Sequence, residues 1–155
     1  MESWYKLTMP ESTDPRSVDV AHSRPAGVDD ATVAALGELS KALETVHRAR
    51  GHLYSMHQLI GGADATLDRV VELLREAGHR QLAERVEVEL LGRNVLAGRW
   101  TFQLVEEFDD GYYATFQEIE RAAREALVDG RRHIHEAEMK QARRSTGQPG
   151  HEATP

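Results

Sequence analysis

The sequence predicts an all-α protein, an antiparallel three- to four-helix bundle with a long C-terminal helix and disordered termini. Three observations carry that prediction. All five prolines lie in the first 25 or the last seven residues, so nothing between Pro25 and Pro149 blocks a helix. Apolar residues recur at steps of three and four through the middle of the chain, the helical period. Strand-type alternation is nearly absent, and no repeat of solenoid length is found.

Composition narrows the function classes. The 155 residues are 40% apolar, enough for one modest core, which the pattern places in a bundle domain over residues 28–143. There is no cysteine, so disulfides, thiolate metal sites and cysteine nucleophiles are excluded. A formal charge of −7 argues against a surface that tracks nucleic-acid phosphates, although a local basic patch is compatible with it. The apolar runs are too short for a spanning helix, and the first thirty residues do not read as a secretory signal, so no membrane role and a cytoplasmic location are expected.

Residues 1–27, rich in turn formers, are expected to be flexible, with Trp4 and Tyr5 the two side chains able to dock; residues 144–155 are expected to be a disordered tail. Asp29 or Asp30 is placed as an N-cap. The seam Leu36, Leu39, Leu43, Val46, Arg50, Leu53, His57, Ile60 then marks the first helix, and Gly61-Gly62 reads as its C-cap. A second helical stretch is expected to fold back from there, interrupted at Gly78-His79. The segment holding Gly92 and Gly98 reads as the second reversal. A last helix covers residues 102–143, with Asp109-Asp110-Gly111 as a kink or as its true start, and it projects beyond the body past Gly130.

Candidate chemistry rests on polar residues in apolar surroundings. Arg50 and His57 sit on the seam and need partners; Arg50 is expected to pair with Glu72, Glu118 or Glu125, and the two together could orient a small apolar ligand. Glu44 and His47 have the Glu-x-x-His spacing that puts a carboxylate and an imidazole on one helical face. Counting about 1.5 Å per residue away from a turn at Gly61-Gly62 brings His79 and Glu118 or Glu120 to the same level as this pair. Glu44, His47, His79 and Glu118 are therefore the candidate ligands of a divalent metal such as Zn, Mn or Fe, redox or hydrolytic in use. Only one copy of the motif is present, and no nucleotide loop or nucleophile elbow accompanies it.

Six of the nine aromatic residues fall within residues 100–116. Arg99, Trp100, Phe102, Phe108, Tyr112 and Tyr113 are the candidate interaction surface, either as the foot of the core or as a face for association. Residues 102–129 hold eight acids against two arginines, whereas residues 131–144 hold five bases against two acids. Such an acidic stem and basic end can pair head to tail between chains. The leading expectation is a small bundle that works as a homo-oligomer or as an accessory subunit of a protein partner, with no catalysis and no cofactor assigned; the metal bundle is the alternative.

Overall fold

A computed structural model describes residues 19–153; Trp4, Tyr5 and the rest of the first 18 residues lie outside it. The described residues are all-helical and contain no strand. The helices are α1 (Asp30–Glu76), α2 (Arg80–Glu89), α3 (Thr101–Phe108), α4 (Ala114–Val128) and α5 (Ile134–Arg143). No helix among them is long and apolar enough to cross a membrane. The described residues divide into two compact units: one combines residues 19–39 with 120–153, the other is Ser40–Ile119.

In the first unit, Asp19 caps a 3₁₀ turn over Val20–His22 by accepting the Ala21 N–H at 3.0 Å, and its second oxygen meets the His22 ring. Asp29 is the N-cap of α1, accepting the Thr32 N–H at 2.8 Å, as its position before the apolar series predicts. A small core of Val33, Leu36, Val128 and Ile134 forms beneath Val28 and Ala123. The helix expected to run out to residue 143 instead stops at Val128. Asp129 and His133 take φ of 55° and 59°, and this turn places Ile134 in the core rather than in solvent. The segment 131–144 is thus folded in, not projecting: Arg131 donates to the Ser23 carbonyl at 2.7 Å, and Arg24 grips Glu138 through two bonds of 2.9 and 3.0 Å. Glu120 and Arg124, four apart on α4, form a pair at 2.7 Å with side chains only 10% and 12% exposed. Beyond α5, Ser145 to His151 make turns, with the Gln148 N–H on the Ser145 carbonyl and the His151 N–H on the Gln148 carbonyl.

The second unit departs from the expected hairpin. Gly61 and Gly62 do not cap a helix; both lie inside α1, with φ in the ordinary negative range, and α1 runs on for 47 residues in all. Its end comes at Gly78, whose φ of +85° allows the His79 N–H to reach the Leu74 carbonyl at 2.8 Å and the Gly78 N–H to reach Arg75 at 3.1 Å. The interruption anticipated at Gly78-His79 is therefore the true helix terminus. His79 then precedes α2, and the Arg75–Glu87 contact ties α2 to the end of α1. The segment with Gly92 and Gly98 interrupts the helix but is not the second reversal expected there: Glu87, Gly92, Thr101, Asp109 and Tyr113 meet Arg75, Asp64, His57, Arg50 and His47 in turn, so the chain keeps one direction along α1 from the turn at Gly78 onward. Gly98 at φ +70° closes a tight loop between Leu96 and Arg99, and the Gly92 N–H donates to Asp64 of α1 at 2.8 Å. From Thr101 the chain is helical through α3, a π-helical turn over Asp109–Tyr113, and α4.

Candidate functional site

The polar seam of α1 is satisfied by the helical run that begins at Thr101. Arg50 and Asp109 form a two-pronged pair, Nε to Oδ1 at 2.7 Å and Nη2 to Oδ2 at 2.8 Å. Asp109 opens the π turn, and a turn of this kind inserts an extra residue into the helical register, re-aiming the side chains that follow it. Tyr54, one turn after Arg50, donates its hydroxyl to Asp109 Oδ2 at 3.3 Å. The guanidinium lies 4.7 Å from the centre of the Tyr54 ring and 5.0 Å from that of Tyr113, within cation–π range of both. The Tyr113 hydroxyl is 2.8 Å from His47 Nδ1. Thr101 Oγ1 is 2.7 Å from His57 Nδ1 and pins the start of α3 to the same helix.

Charge in this cluster is balanced internally. The Arg50 guanidinium holds the Asp109 carboxyl below its usual range, and the carboxylate in turn raises the arginine's hold on its proton. With both carboxylate oxygens and the guanidinium edge engaged, the cluster works as a clamp that fixes α3 and the π turn against α1. Arg50 and His57 do find the partners the seam demands, but they are Asp109 and Thr101. None of the three glutamates expected for Arg50 takes that place: Glu72 pairs with Arg69, Glu125 with Arg121, and Glu118 is exposed in α4.

The four candidate metal ligands are not gathered. Glu44 and His47 share a turn of α1, but α1 continues for 29 residues from His47 to Glu76, about 44 Å of helix, before His79 is reached. The turn at Gly61-Gly62 that would have returned His79 to their level does not form. Among the described residues no three His, Asp or Glu side chains are grouped so as to hold a metal ion. In the first unit an open cleft lined by Asp19, His22, His133, Glu136 and Lys140 is the other gathering of titratable groups, and its acids face its own histidines.

The aromatic candidates divide into two layers. Phe108, Tyr113 and Phe116 are half-buried, with Phe108 stacked on Tyr113 at 6.1 Å. Trp100, Phe102 and Tyr112 are 57%, 40% and 60% exposed. Trp100 meets Phe102 edge to face at 5.4 Å, and Tyr112 bridges Phe108 and Phe116 at 5.9 Å each. Arg99 is held beside them by Glu107 at 2.9 Å, and the Gln103 side chain accepts the Trp100 N–H at 2.9 Å, fixing the corner on which the indole stands. Leu96 and Ile119, each 54% exposed, lie near the two ends of this stretch.

No family model, no curated protein and no solved structure matches the chain. Function is therefore argued from the geometry alone. Sequence reasoning missed Asp109, Tyr54, Thr101 and Asp64 as the partners that lock the second unit. Tyr54 carried a usable signal, since it lies four residues after Arg50 and so shares its face.

Proposed function

We propose that this chain acts by association, as a homo-oligomer or as an accessory subunit of a protein partner, through the aromatic and apolar surface of residues 95–119. One observation carries the reading. Within the second unit the buried apolar side chains are Leu43, Val71, Ala83 and Val105, whereas thirteen large apolar side chains are exposed, six of them (Val95, Leu96, Trp100, Phe102, Tyr112 and Ile119) within residues 95–119. That imbalance favours covering the surface with another chain, since burial of apolar area is the main favourable term in association. The underlying clamp supports the same reading, because it presents Trp100, Phe102 and Tyr112 on a fixed helical scaffold and so lowers the ordering cost of binding.

The rings alone are not sufficient. Three half-exposed aromatics offer roughly 300 Å² for burial, worth about 7 kcal/mol, against an association cost of about 4–15 kcal/mol. The flanking aliphatic and charged groups must contribute. The reading is tested by light scattering on the purified chain and on a Trp100→Ser, Tyr112→Ser variant. A mass above the 17.4 kDa of one chain that drops in the variant supports it. A wild-type chain that stays monomeric, together with an emission typical of a buried indole from Trp100 in a Trp4→Phe variant, overturns it.

A further inference from the structure

The aromatic surface is bordered by charge that the chain leaves unspent. Residues 101–119 contain five carboxylates and no base. Arg99 takes Glu107 and Arg50 takes Asp109, but the exposed side chains of Glu106, Asp110 and Glu118 make no hydrogen bond or ion pair among the described residues. Interspersed with them stand Tyr112 and Ile119, at 60% and 54% exposure. The surface is acidic and apolar at once, so its occupant needs cations set around an apolar centre.

Helix α5 has that composition. Ile134, Ala137, Glu138 and Gln141 are buried or half-buried, which leaves His135, Glu136, Met139, Lys140, Ala142 and Arg143 on the outward side, with Arg132 in the turn just before the helix; Arg132, Lys140 and Arg143 outnumber the one outward acid, Glu136, which lies 3.9 Å from His133. Met139 is 47% exposed, and it lies four residues from Arg143, on the same helical face. The side chains of Arg132 and Arg143 are exposed and have neither a hydrogen bond nor an ion pair among the described residues. Arginine suits such a place because its planar guanidinium both pairs with carboxylates and stacks on tyrosine rings.

Building on the association reading, we propose that the occupant of the acidic aromatic face is α5 of a second copy of this chain, with Arg132 and Arg143 meeting Asp110 and Glu118 and Met139 seated beside Tyr112. The two surfaces differ, so the contact either forms twice about the two-fold axis of a closed pair or repeats head to tail in a ring or an open assembly. In either case it raises the mass and weakens with salt, because its charges lie at an exposed rim.

The test uses the full-length chain and two charge reversals, Arg132→Glu with Arg143→Glu, and Asp110→Lys with Glu118→Lys. Light scattering is expected to give a wild-type mass above 17.4 kDa that declines as salt is raised, and each variant alone is expected near 17.4 kDa. An equimolar mixture of the two variants is expected to recover the wild-type mass, since each reversed surface then faces its complement; recovery also shows that both variants are folded. If each variant keeps the wild-type mass, the α5 contact is overturned while association through another part of the aromatic surface stands. If the wild-type chain is monomeric at every salt concentration, a second copy is overturned as the occupant, and a different protein is left as the partner of that surface.

Discussion

Replacing Gly61 and Gly62 by alanine together should stabilise this chain, and the size of the gain follows from where the two residues lie. Both are interior to α1 with negative φ, and a Cβ built on either meets nothing within 4 Å, so no steric term opposes the change. Glycine in a helix interior is about 0.8–1.0 kcal/mol less favourable than alanine, mainly through the backbone freedom it loses on folding, so the pair should contribute about 2 kcal/mol. For a chain of this length that corresponds to a rise in Tm of about 4–8 °C. The assay is thermal unfolding followed by helical circular dichroism, with Gly78→Ala as the opposing control. At φ +85°, Gly78 occupies a conformation that costs an L-residue about 1–2 kcal/mol, so that variant should melt lower. Were Gly61-Gly62 the cap of a helical hairpin instead, both alanines would be forced into positive φ and the double variant would lose stability. A lowered Tm for Gly61→Ala, Gly62→Ala would refute the continuous helix.

Other consequences are as direct. Spin labels on His47→Cys and Glu76→Cys, in a chain with no other cysteine, should report a separation near the helical distance of about 44 Å, where a hairpin would bring them to about 10 Å. Ile134→Ala should destabilise by about 2–5 kcal/mol, because Ile134 is 6% exposed against Val33, Leu36 and Val128; no change in the denaturation midpoint would mean that α5 does not dock. Glu120→Ala should cost up to about 3–5 kcal/mol by taking the carboxylate from a covered Arg124, which keeps its bond to the Gly130 carbonyl at 3.2 Å, and replacing both residues by leucine should cost less than the single change. Asp109 titrates below the usual carboxylate range when folded, so the Arg50 clamp contributes stability above the unfolded aspartate pKa and loses it as pH falls through the lower folded value. Acid titration by carboxyl NMR should therefore show Asp109 ionised below the usual carboxylate range, and Arg50→Gln should return it toward the ordinary value.

The helical class, the Asp29 cap and the break at Gly78 were all legible, because each rests on local chemistry: a side-chain oxygen before an apolar series, or a glycine where the chain needs positive φ; Gly92 and Gly98 marked a real interruption, but the reversal read there does not occur, since the chain keeps one direction along α1 on both sides of it. Gly61-Gly62 misled for the same reason, since two glycines carry the local mark of a terminus. The contrary signal lay in the phase of the seam, for after Ile60 the covered positions run on through Asp64, Leu67, Val71 and Leu74 at steps of four and three without a slip. A true hairpin has no need to preserve that phase. The partner of Arg50 was not legible, because it depends on the register in which a distant segment returns, and the π turn alters that register at Asp109 itself. His79 and Glu118 were assigned to a metal site through the hairpin geometry, so the assignment went when the hairpin did. The clustering of aromatics in residues 100–116 was plain in the sequence; which of the rings are left exposed depends on Arg50, His57 and the corner at Trp100.

Association through the apolar surface that the chain leaves uncovered is the central proposal. Sedimentation equilibrium on the untagged protein, from about 1 to about 100 µM, tests it most directly because mass action makes a real oligomer concentration-dependent. The account predicts a weight-average mass that climbs above 17.4 kDa with concentration, or an excess that persists throughout. A mass fixed at one chain across the whole range, with Trp100 and Tyr112 found buried in that monomer, would contradict it.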